Sequence, residues 1–453
     1  ESYNFCNLVK NGIVYTGPGD SVYESKSENV ISNANSITYG RRLPVDKFII
    51  YSYNKEFSIW YGKSDLRGAY RCYSDDTEIL TETGWKLIKD VNSTERIATL
   101  NNDELEYHYP INKFEYEYNG DMFHQSGRFI DLLVTPNHNM YVKRHKKSKK
   151  YEFVEAQKLR KTIIYKRNVK WNGIEKNEFI LPGLMYEQAI SNQYKKNYLI
   201  KETKISELHI NMNDWLAFFG IWLAEGCVTK HKYTNQCLVL ISQKNVEKTK
   251  IIEKVIRACN FKFHLKKDKN DKYTFVICSK QLYTYLKQFG HAKDKFIPVE
   301  IKQLSSKQLE ILYDAMCLGD GTHDNNLYYT ISKQLVDDVA EVIFKIGYAA
   351  NVTLSLRKSS DIRFGNHYIW CVGRSKRILE TNCNSHGKDG RQYVNYNGKV
   401  YCLEVPNHTL YVRRNGKACW CGNSWWSKEL LIRFMNIYME RFGMPTHVAK
   451  VPK

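Results

Sequence analysis

The stretches DWLAFFGIWLAEG (214–226) and LEILYDAMCLGDG (309–321) decide the fold of the middle of this 453-residue chain. Each is apolar around most of a helical circumference and ends in an acidic residue, Glu225 or Asp320, followed by glycine. This pattern predicts a buried helix that delivers one carboxylate at its C-terminal end and stops at the glycine. One such stretch alone is more often a plain core helix, so it is the presence of two that favours a functional pair.

The two stretches open the copies of an internal repeat, with about 95 residues between Glu225 and Asp320. Downstream, VLISQKNVEKTKIIEKVIRACN (239–260) corresponds to YYTISKQLVDDVAEVIFKIGYAANV (328–352). Each copy reads as helix, strands, helix, strand, helix. The middle of the chain is therefore predicted to be an α+β domain with two pseudo-symmetric repeats.

Short strand-like stretches lie on both sides of the repeat. DTEILTETGWKLIKDV (76–91) alternates as two strands around a turn at Thr83–Gly84, and similar stretches continue to about residue 165. Strands return after about residue 385, for example in KVYCLEV (399–405). This pattern predicts an all-β domain that is split by the helical repeat.

The outer parts of the chain have a different texture. SDLRGAYR (64–71) joined directly to SWWSKELLIRF (424–434) reads as one amphipathic helix, although neither piece explains its own break. A segment that interrupts a helix must be removed for the helix to form. We therefore predict a multidomain chain with five segments: 1–71, 72–200, 201–385, 386–423 and 424–453.

The net charge of +20 lies mostly in the middle, since the 72–423 segment carries +15 of it. A basic balance of this size suits a polyanion such as DNA, although lysine-rich solubility explains it equally well. No apolar run approaches the ~18 residues of a membrane span, and the N-terminus lacks a secretory signal. Because the sequence starts without Met, we expect a fragment.

Twelve cysteines are scattered along the chain without a paired zinc-ligand spacing. This distribution predicts a reduced, cytoplasmic set of thiols, mostly small buried side chains with one or two reactive members.

Four stretches at the edges of the β-rich parts resemble, in order, the splicing blocks of inteins. They are CYSDDTEIL (72–80), VTPNHNMYV (134–142), VYCLEVPNHTLYV (400–412) and CWCGNS (419–424). The resemblance covers Cys72 to Asn423. It implies a horseshoe-like all-β Hint splicing domain that needs no cofactor for splicing.

The resemblance implies the roles of the residues at the first splice junction. Cys72 converts its amide bond to Arg71 into a thioester, since a thiol is a strong nucleophile near neutral pH. Thr135-x-x-His138 matches the TxxH arrangement in which the histidine protonates the leaving amide nitrogen and the threonine holds nearby groups.

At the second junction, Ser424 accepts the acyl chain by transesterification. Asn423 then cyclises and cuts its bond to Ser424, and an O-to-N shift leaves an ordinary peptide. The chain departs from the family twice. Gly422 stands where the family usually has histidine, so His408 is the candidate for assisting cyclisation, and Cys402 stands where aspartate is common, with an expected supporting role.

The paired stretches around Glu225 and Asp320 resemble the LAGLIDADG motifs of homing endonucleases. The resemblance implies that both carboxylates hold Mg²⁺ between two scissile phosphates of double-stranded DNA, the uninterrupted host gene. Lys280 and Lys376, at matching places in VICSK and WCVGRSK, are candidates for orienting water or stabilising the leaving group; a solvated lysine is an equally good interpretation.

The joined flanks resemble, over about 100 residues, part of the portal proteins of Mu-like phages. That resemblance implies a portal oligomer as the spliced product, found in the virion, and a precursor in the cytoplasm of the phage host without a membrane partner. Three alternatives stay open. They are an autoprocessing domain that cleaves without ligating, a phage DNA-binding or structural protein without processing, and an intein whose nuclease is inactive.

Overall fold

A computed structural model of the chain describes most of the segment between residues 71 and 422. The described residues are 13–16, 22–23, 36–39, 71–145, 148, 150–160, 162–192, 197–322, 324–357, 367–375, 380–384 and 390–422. Three predicted site residues, Lys376, Asn423 and Ser424, lie outside them, as does most of both flanks. Among the described helices, none has the length and apolarity needed to cross a membrane.

The described elements are six α-helices and twenty-eight strands. The helices are α1 (Met212–Glu225), α2 (Val246–Ala258), α3 (Lys280–Lys287), α4 (Val299–Lys302), α5 (Ser306–Asp320) and α6 (Lys333–Lys345). The strands are β1 (Ile13–Thr16), β2 (Val22–Tyr23), β3 (Ser36–Tyr39), β4 (Tyr73–Ser74), β5 (Glu78–Thr81), β6 (Gly84–Leu87), β7 (Ile97–Asn101), β8 (Glu104–His108), β9 (Asn112–Ser126), β10 (Asp131–Val134), β11 (Asn139–Lys143), β12 (Glu152–Glu155), β13 (Thr162–Lys166), β14 (Glu178–Leu181), β15 (Leu184–Asn192), β16 (Asn197–Ile205), β17 (Leu208–Asn211), β18 (Gly226–Lys230), β19 (Cys237–Gln243), β20 (Phe263–Lys267), β21 (Tyr273–Cys278), β22 (Leu327–Thr330), β23 (Ala349–Arg357), β24 (His367–Ser375), β25 (Glu380–Asn384), β26 (Arg391–Glu404), β27 (Thr409–Arg414) and β28 (Lys417–Gly422).

The β-rich part brings together strands from both ends of the 72–422 segment. Strands β10-β4-β26-β9 close into a small barrel, and β9 pairs with β26 along its whole length, from Asn112↔Glu404 to Gln125↔Arg391. A second sheet has the order β12-β11-β13-β25. Strand β25, which lies before the boundary predicted at residue 385, pairs with β13 in this sheet.

The helical part is built on the two predicted helices, α1 and α5, which pack closely because small residues line their contact. A Cβ on Gly220 would lie 2.7 Å from the carbonyl oxygen of Leu312, and one on Gly319 would lie 2.5 Å from the Cβ of Ala224. Both distances are too short for two non-bonded heavy atoms. The glycines therefore set how near the two helix axes come.

Each of these helices leads into a sheet with a related strand order. The first unit has the order β18-β19-β21-β20, and the second has β22-β24-β23. Gly226 and Gly321 follow the helices in extended conformation, with φ of −94° and −101°. A side chain at either position would collide with the last helical turn, so the need for glycine here is one of space.

The second unit of the repeat is fused to the β-rich part. Strand β23 pairs with β28 at Asn351↔Lys417, so one sheet continues through β22-β24-β23-β28-β27-β5-β7-β8. The ring of Phe344 on α6 stacks on Tyr411 of β27 at 3.8 Å between centroids. The two parts thus share a core.

Candidate functional site

Two sites emerge from the sequence predictions. The first, which we call the junction site, consists of Arg71, Cys72, Thr135, His138 and Gly422. Strand β4 starts directly after Cys72, the loop between β10 and β11 supplies Thr135 and His138, and β28 ends at Gly422. Residues about 350 positions apart are therefore neighbours in space.

Thr135 holds Cys72 through the backbone. The amide nitrogen of Cys72 donates to the Thr135 hydroxyl oxygen at 3.0 Å, and the Thr135 amide donates to the Cys72 carbonyl at 3.0 Å. The His138 amide donates in turn to the Thr135 carbonyl at 2.9 Å. Since all three residues are fully buried, these bonds are shielded from water and fix the amide nitrogen of the Arg71–Cys72 bond.

The imidazole of His138 lies between the two ends of the segment. The carbonyls of Arg71 and Gly422 both favour its protonated form, but burial outweighs them and lowers its pKa to about 3. Its Nε2 lies 3.5 Å from the sulfur of Cys421. The Tyr73 and His138 rings pack edge to face, with 4.3 Å between their centroids. At neutral pH the His138 ring is therefore uncharged, and its buried Nδ1 has no hydrogen-bond partner among the described residues.

The Gly422 carbonyl accepts a hydrogen bond from the buried hydroxyl of Tyr73. A Cβ at position 422 would lie only 2.2 Å from the carbonyl oxygen of Asn139, so no side chain fits there. The departure noted in the sequence, glycine in place of histidine, thus has a steric reason.

His408 lies one position before Thr409, whose backbone pairs with Gly422 in the β27–β28 ladder. It is half-buried, adopts a φ of 56° and donates its amide to the Val405 carbonyl at 3.1 Å. The turn therefore brings His408 to the same end of the sheet as the last described residue of the segment.

Cys72 and Cys402 form a disulfide across the small barrel, with their Cα atoms 4.7 Å apart. The expectation of an entirely reduced set of thiols is wrong for this pair. The Cys402 sulfur also lies 3.4 Å from the Arg71 carbonyl oxygen, so it faces the bond that Cys72 would attack. No sequence signal foretold the pairing, because 330 residues separate the two cysteines.

The second site, the carboxylate pair, consists of Glu225 and Asp320 at the ends of α1 and α5. Partial burial together with the charge of Glu225 raises the pKa of Asp320 to about 6. Burial likewise raises the pKa of Glu225, whose Oε1 accepts from the Gln243 amide at 3.2 Å. The charge of Glu225 thus lies near enough to disfavour ionisation of Asp320, at the ends of two helices that pack closely.

Lys295 is a buried cation next to this site, and sequence reasoning missed it. Its ammonium is buried and donates to the carbonyls of Trp222, Leu223 and Gly226 at 3.0, 2.9 and 2.7 Å. Burial lowers its pKa to about 8, against the opposing charges of the carboxylate pair. Lys295 stands in a loop of a lysine-rich chain, so its sequence context gave no signal.

The predicted lysine Lys280 begins α3, where its ammonium lies 3.3 Å from the centroid of the Tyr186 ring. Its described contact is thus a cation–π interaction. Its counterpart in the second unit, Lys376, lies outside the described residues.

The carboxylate pair fits a divalent cation by its chemistry. Two carboxylates that repel one another are relieved by a bound cation, and Mg²⁺ is commonly held by one or two carboxylates with phosphate and water as further ligands. Glu225 and Asp320 would hold the ion. Among the described residues, no group of three or more histidines, cysteines and acids gathers into a metal site of its own.

No protein-family model matches the chain. The chain is 30% identical over 416 residues to the DNA-directed RNA polymerase subunit beta C-terminal section of Stigeoclonium helveticum, covering 78% of this chain and 36% of that protein. It is 26% identical over 471 residues to the ATP-dependent Clp protease proteolytic subunit of Chlamydomonas moewusii, covering 78% and 45%. The chain thus spans less than half the length of these relatives.

Among solved structures, the chain is similar to a mesophilic variant of the homing endonuclease I-DmoI, with 18% identity, 37% of this chain and 91% of that chain covered, and a TM-score of 0.29. It is also similar to the AceL NrdHF class 3 split intein, with 12% identity, coverage of 46% and 99%, and a TM-score of 0.18. A bacterial intein-like domain from Clostridium thermocellum gives 18% identity, coverage of 31% and 87%, and a TM-score of 0.17.

Proposed function

We propose that residues 72–423 excise themselves from the chain and join the two flanks by a peptide bond. The observation that carries this proposal is the meeting of the segment's ends, since the hydroxyl of Tyr73, the second residue of the segment, donates a hydrogen bond to the carbonyl of Gly422, which directly precedes Asn423. Joining flanks requires both junctions to lie in one site. A structural protein without processing activity has no need for this arrangement.

In the first step, the Cys72 thiolate attacks the Arg71 carbonyl carbon, and the amide nitrogen of Cys72 leaves as a thioester forms. Thr135 accepts a hydrogen bond from that nitrogen and so fixes it. His138 is buried and uncharged, and we propose that as the nitrogen gains basicity a proton reaches it through this ring.

The first step needs a free thiol, because a disulfide sulfur is not a nucleophile. The Cys72–Cys402 bond must therefore be reduced beforehand. Exchange with two equivalents of an external thiol yields both protein thiols and one external disulfide. Once reduced, Cys402 remains beside the Arg71 carbonyl, where a thiol can donate a hydrogen bond to the oxygen.

In the later steps, the acyl chain passes to Ser424 and Asn423 cyclises. These two assignments rest on the sequence, while the path of β28 brings the chain to the junction site one residue earlier, at Gly422. His408, on the neighbouring turn, is the candidate that assists cyclisation.

The two curated relatives carry unrelated names, yet each match covers 78% of this chain. The segment 72–423 is the same share, 352 of 453 residues. A matched stretch found in an RNA polymerase subunit and in a protease subunit is expected of an insertion that occurs in unrelated hosts. For the host of this chain we propose the Mu-like portal protein, on the strength of the flanking sequences.

We further propose that the helical repeat cleaves double-stranded DNA at the carboxylate pair. A divalent cation there would neutralise charge that develops on the phosphate oxygens. Glu225 and Asp320 would hold the ion, and the buried Lys295 would hold one side of the pair by binding the end of α1. The positive charge of the 72–423 segment favours a DNA partner.

Intact-mass spectrometry tests the splicing proposal on the full chain in reducing buffer, beside Cys72→Ala and Asn423→Ala. We expect an excised segment of 352 residues and a ligated product of 101 residues in the wild type alone. Separate fragments without the ligated product would favour cleavage without ligation. A full-length mass in all samples would contradict the proposal, and a nicking assay on intein-less host DNA with and without Mg²⁺ tests the nuclease separately.

A further inference from the structure

We infer that Tyr73 is a positioning residue for the cleavage at the C-terminal end of the segment. Its hydroxyl donates to the Gly422 carbonyl, directly before Asn423 in the chain. This inference rests on the proposed splicing function. It means that Tyr73, the second residue of the segment, acts on cleavage after Asn423, the last residue of the segment.

The Tyr73 hydroxyl is suited to donate and not to act as a base. The side chain is 1% exposed, and burial, together with the neighbouring Cys421, raises the pKa of the phenol well above its usual value. The hydroxyl therefore keeps its proton at any working pH. Its ring also packs edge-on against His138, which fixes the direction of the donated bond.

The Gly422 backbone needs such a restraint. Glycine loses more conformational freedom than other residues on being fixed, and the nearby Asn139 carbonyl prevents a side chain from restricting it. In the junction site, the Tyr73 hydroxyl binds the Gly422 carbonyl directly.

The position of this carbonyl determines where the next residue begins. Cyclisation requires the Asn423 side-chain nitrogen to reach its own carbonyl carbon, and rotation about the Gly422 backbone moves the whole residue. Near-attack geometry is sensitive to displacements of about 1 Å. By holding the Gly422 carbonyl, Tyr73 limits this rotation. Because Tyr73 is bonded to Cys72, the restraint on the C-terminal end is anchored at the residue that reacts first.

The test compares Tyr73→Phe with Tyr411→Phe in the full chain after reduction. Tyr411 is a matched control, since it is 1% exposed and donates to the Arg167 carbonyl at 3.3 Å within the same domain. Intact mass follows two rates: N-terminal cleavage induced by dithiothreitol and spontaneous C-terminal cleavage. Because a buried hydrogen bond is worth about 1 kcal/mol, we expect Tyr73→Phe to slow the C-terminal step about five- to tenfold.

We expect the N-terminal rate of Tyr73→Phe, and both rates of Tyr411→Phe, to stay within about twofold of wild type. Placing 4-aminophenylalanine at position 73 restores an N–H donor on the same ring, and it should recover most of the lost C-terminal rate. This rescue distinguishes a positioning role from general packing and remains informative if Tyr73→Phe folds poorly.

The inference is overturned if Tyr73→Phe leaves the C-terminal rate unchanged, if both steps slow equally, or if the amino analogue fails to rescue. A wild-type chain that shows neither cleavage would refute the proposed function itself. A wild-type chain that splices beside an unaffected Tyr73→Phe would refute only the inference.

Discussion

Burial and a disulfide control the two reactive side chains of the junction site. Burial keeps the His138 imidazole uncharged, and the sulfur of Cys72 is bonded to that of Cys402. Because a disulfide sulfur is not a nucleophile, the reactivity of Cys72 depends first on reduction of that bond. The Thr135 contact to the Cys72 amide then holds the bond that is to be broken.

The disulfide gives the first prediction at this scale. With hydroxylamine present in every sample to cleave the thioester, wild-type protein without a reductant should show no N-terminal cleavage, and a phosphine reductant should start it. Cys402→Ser cannot form the bond, so its rate, even if lower, should be nearly the same in both conditions. Intact mass gives the rate of N-terminal cleavage with reductant and without it. We expect the ratio of these two rates to be about ten or more in the wild type and near one in Cys402→Ser.

A buried free cysteine serves as the control for general thiol oxidation. Cys259→Ser should keep the wild-type ratio, because Cys259 takes no part in a disulfide. A high ratio in Cys402→Ser would show that another oxidation blocks the reaction.

The raised pKa of Asp320 gives a second prediction, for DNA cleavage. A carboxyl group must be ionised to hold a divalent cation, and the pKa of Asp320 is about 6. Cleavage should therefore be full well above pH 6 and fall as pH decreases through about 6. Asp320→Asn should abolish it at every pH, and EDTA should do the same for the wild type.

The raised pKa of Asp320 also determines how pH changes the free energy of unfolding. The folded chain binds the Asp320 proton more tightly than the unfolded chain does, so ionisation above about pH 6 destabilises the metal-free fold. Asp320→Asn should thus melt no lower than wild type at pH 7. The control Asp314→Asn, an exposed acid on the same helix, should keep its activity; loss of cleavage there would point to a general helix effect.

At the scale of elements, the sequence predicted what local pattern determines. The apolar stretches 214–226 and 309–321 form α1 and α5, and the turn at Thr83–Gly84 joins β5 to β6, where Gly84 has a φ of 130°. Hydrophobic periodicity and turn chemistry act over a few residues, so a single sequence carries them.

Contacts between distant strands were beyond the sequence. The pairing of β9 with β26 and the disulfide between Cys72 and Cys402 join positions about 300 residues apart. No spacing rule connects such positions. The same reason explains Lys295, whose role depends on three carbonyls at the end of a helix from another part of the chain.

The close packing of α1 against α5 gives a prediction at this scale. In Gly319→Ala, the new Cβ would lie 2.5 Å from Ala224 Cβ and 2.8 Å from Glu225 Cγ. The helices must shift, at a cost of about 1–3 kcal/mol, and the carboxylate pair is displaced. Nicking should fall by about 100-fold, since displacements near 1 Å cost this much in catalysis.

Gly120→Ala is the matched control, because its Cβ would meet only ordinary contacts at 3.6 Å or more. It should leave nicking unchanged. If Gly319→Ala cleaves DNA as well as the control does, the spacing of the two helices does not set the geometry of the carboxylates.

At the scale of the whole molecule, buried charges join the helical repeat to the β-rich part. Arg413 of β27, 2% exposed, binds Glu78 on one side and Asp337 of α6 on the other, each at 2.7 Å or less. Removing the repeat would therefore take away one of the two acidic partners of this buried Arg413, leave Glu78 as the other, and expose the sheet edge at β28.

The shared core predicts that a substitution in the repeat reaches the splicing reaction. Phe344→Ala in α6 removes a ring that stacks on Tyr411. The same ring packs against Trp420, with 5.8 Å between the ring centroids. Loss of a buried phenylalanine costs about 3–5 kcal/mol. We expect the yield of ligated product to fall at raised temperature, with a lower melting temperature reported by tryptophan fluorescence.

Phe275→Ala is the comparison that isolates the shared core. Phe275 is equally buried, but it packs within the repeat and has no described ring contact with the β-rich part. Phe275→Ala should lower the free energy of unfolding of the repeat by a similar amount. DNA cleavage should then be lost at raised temperature, while splicing at the same temperature continues. Equal loss of splicing in both variants would mean that the whole chain unfolds as one unit, and no loss in either would mean that the β-rich part holds its structure without the repeat. We expect this difference because, among the described residues of the repeat, it is the second unit that adds strands β22, β23 and β24 to the sheet containing β28 and stacks the Phe344 ring on Tyr411.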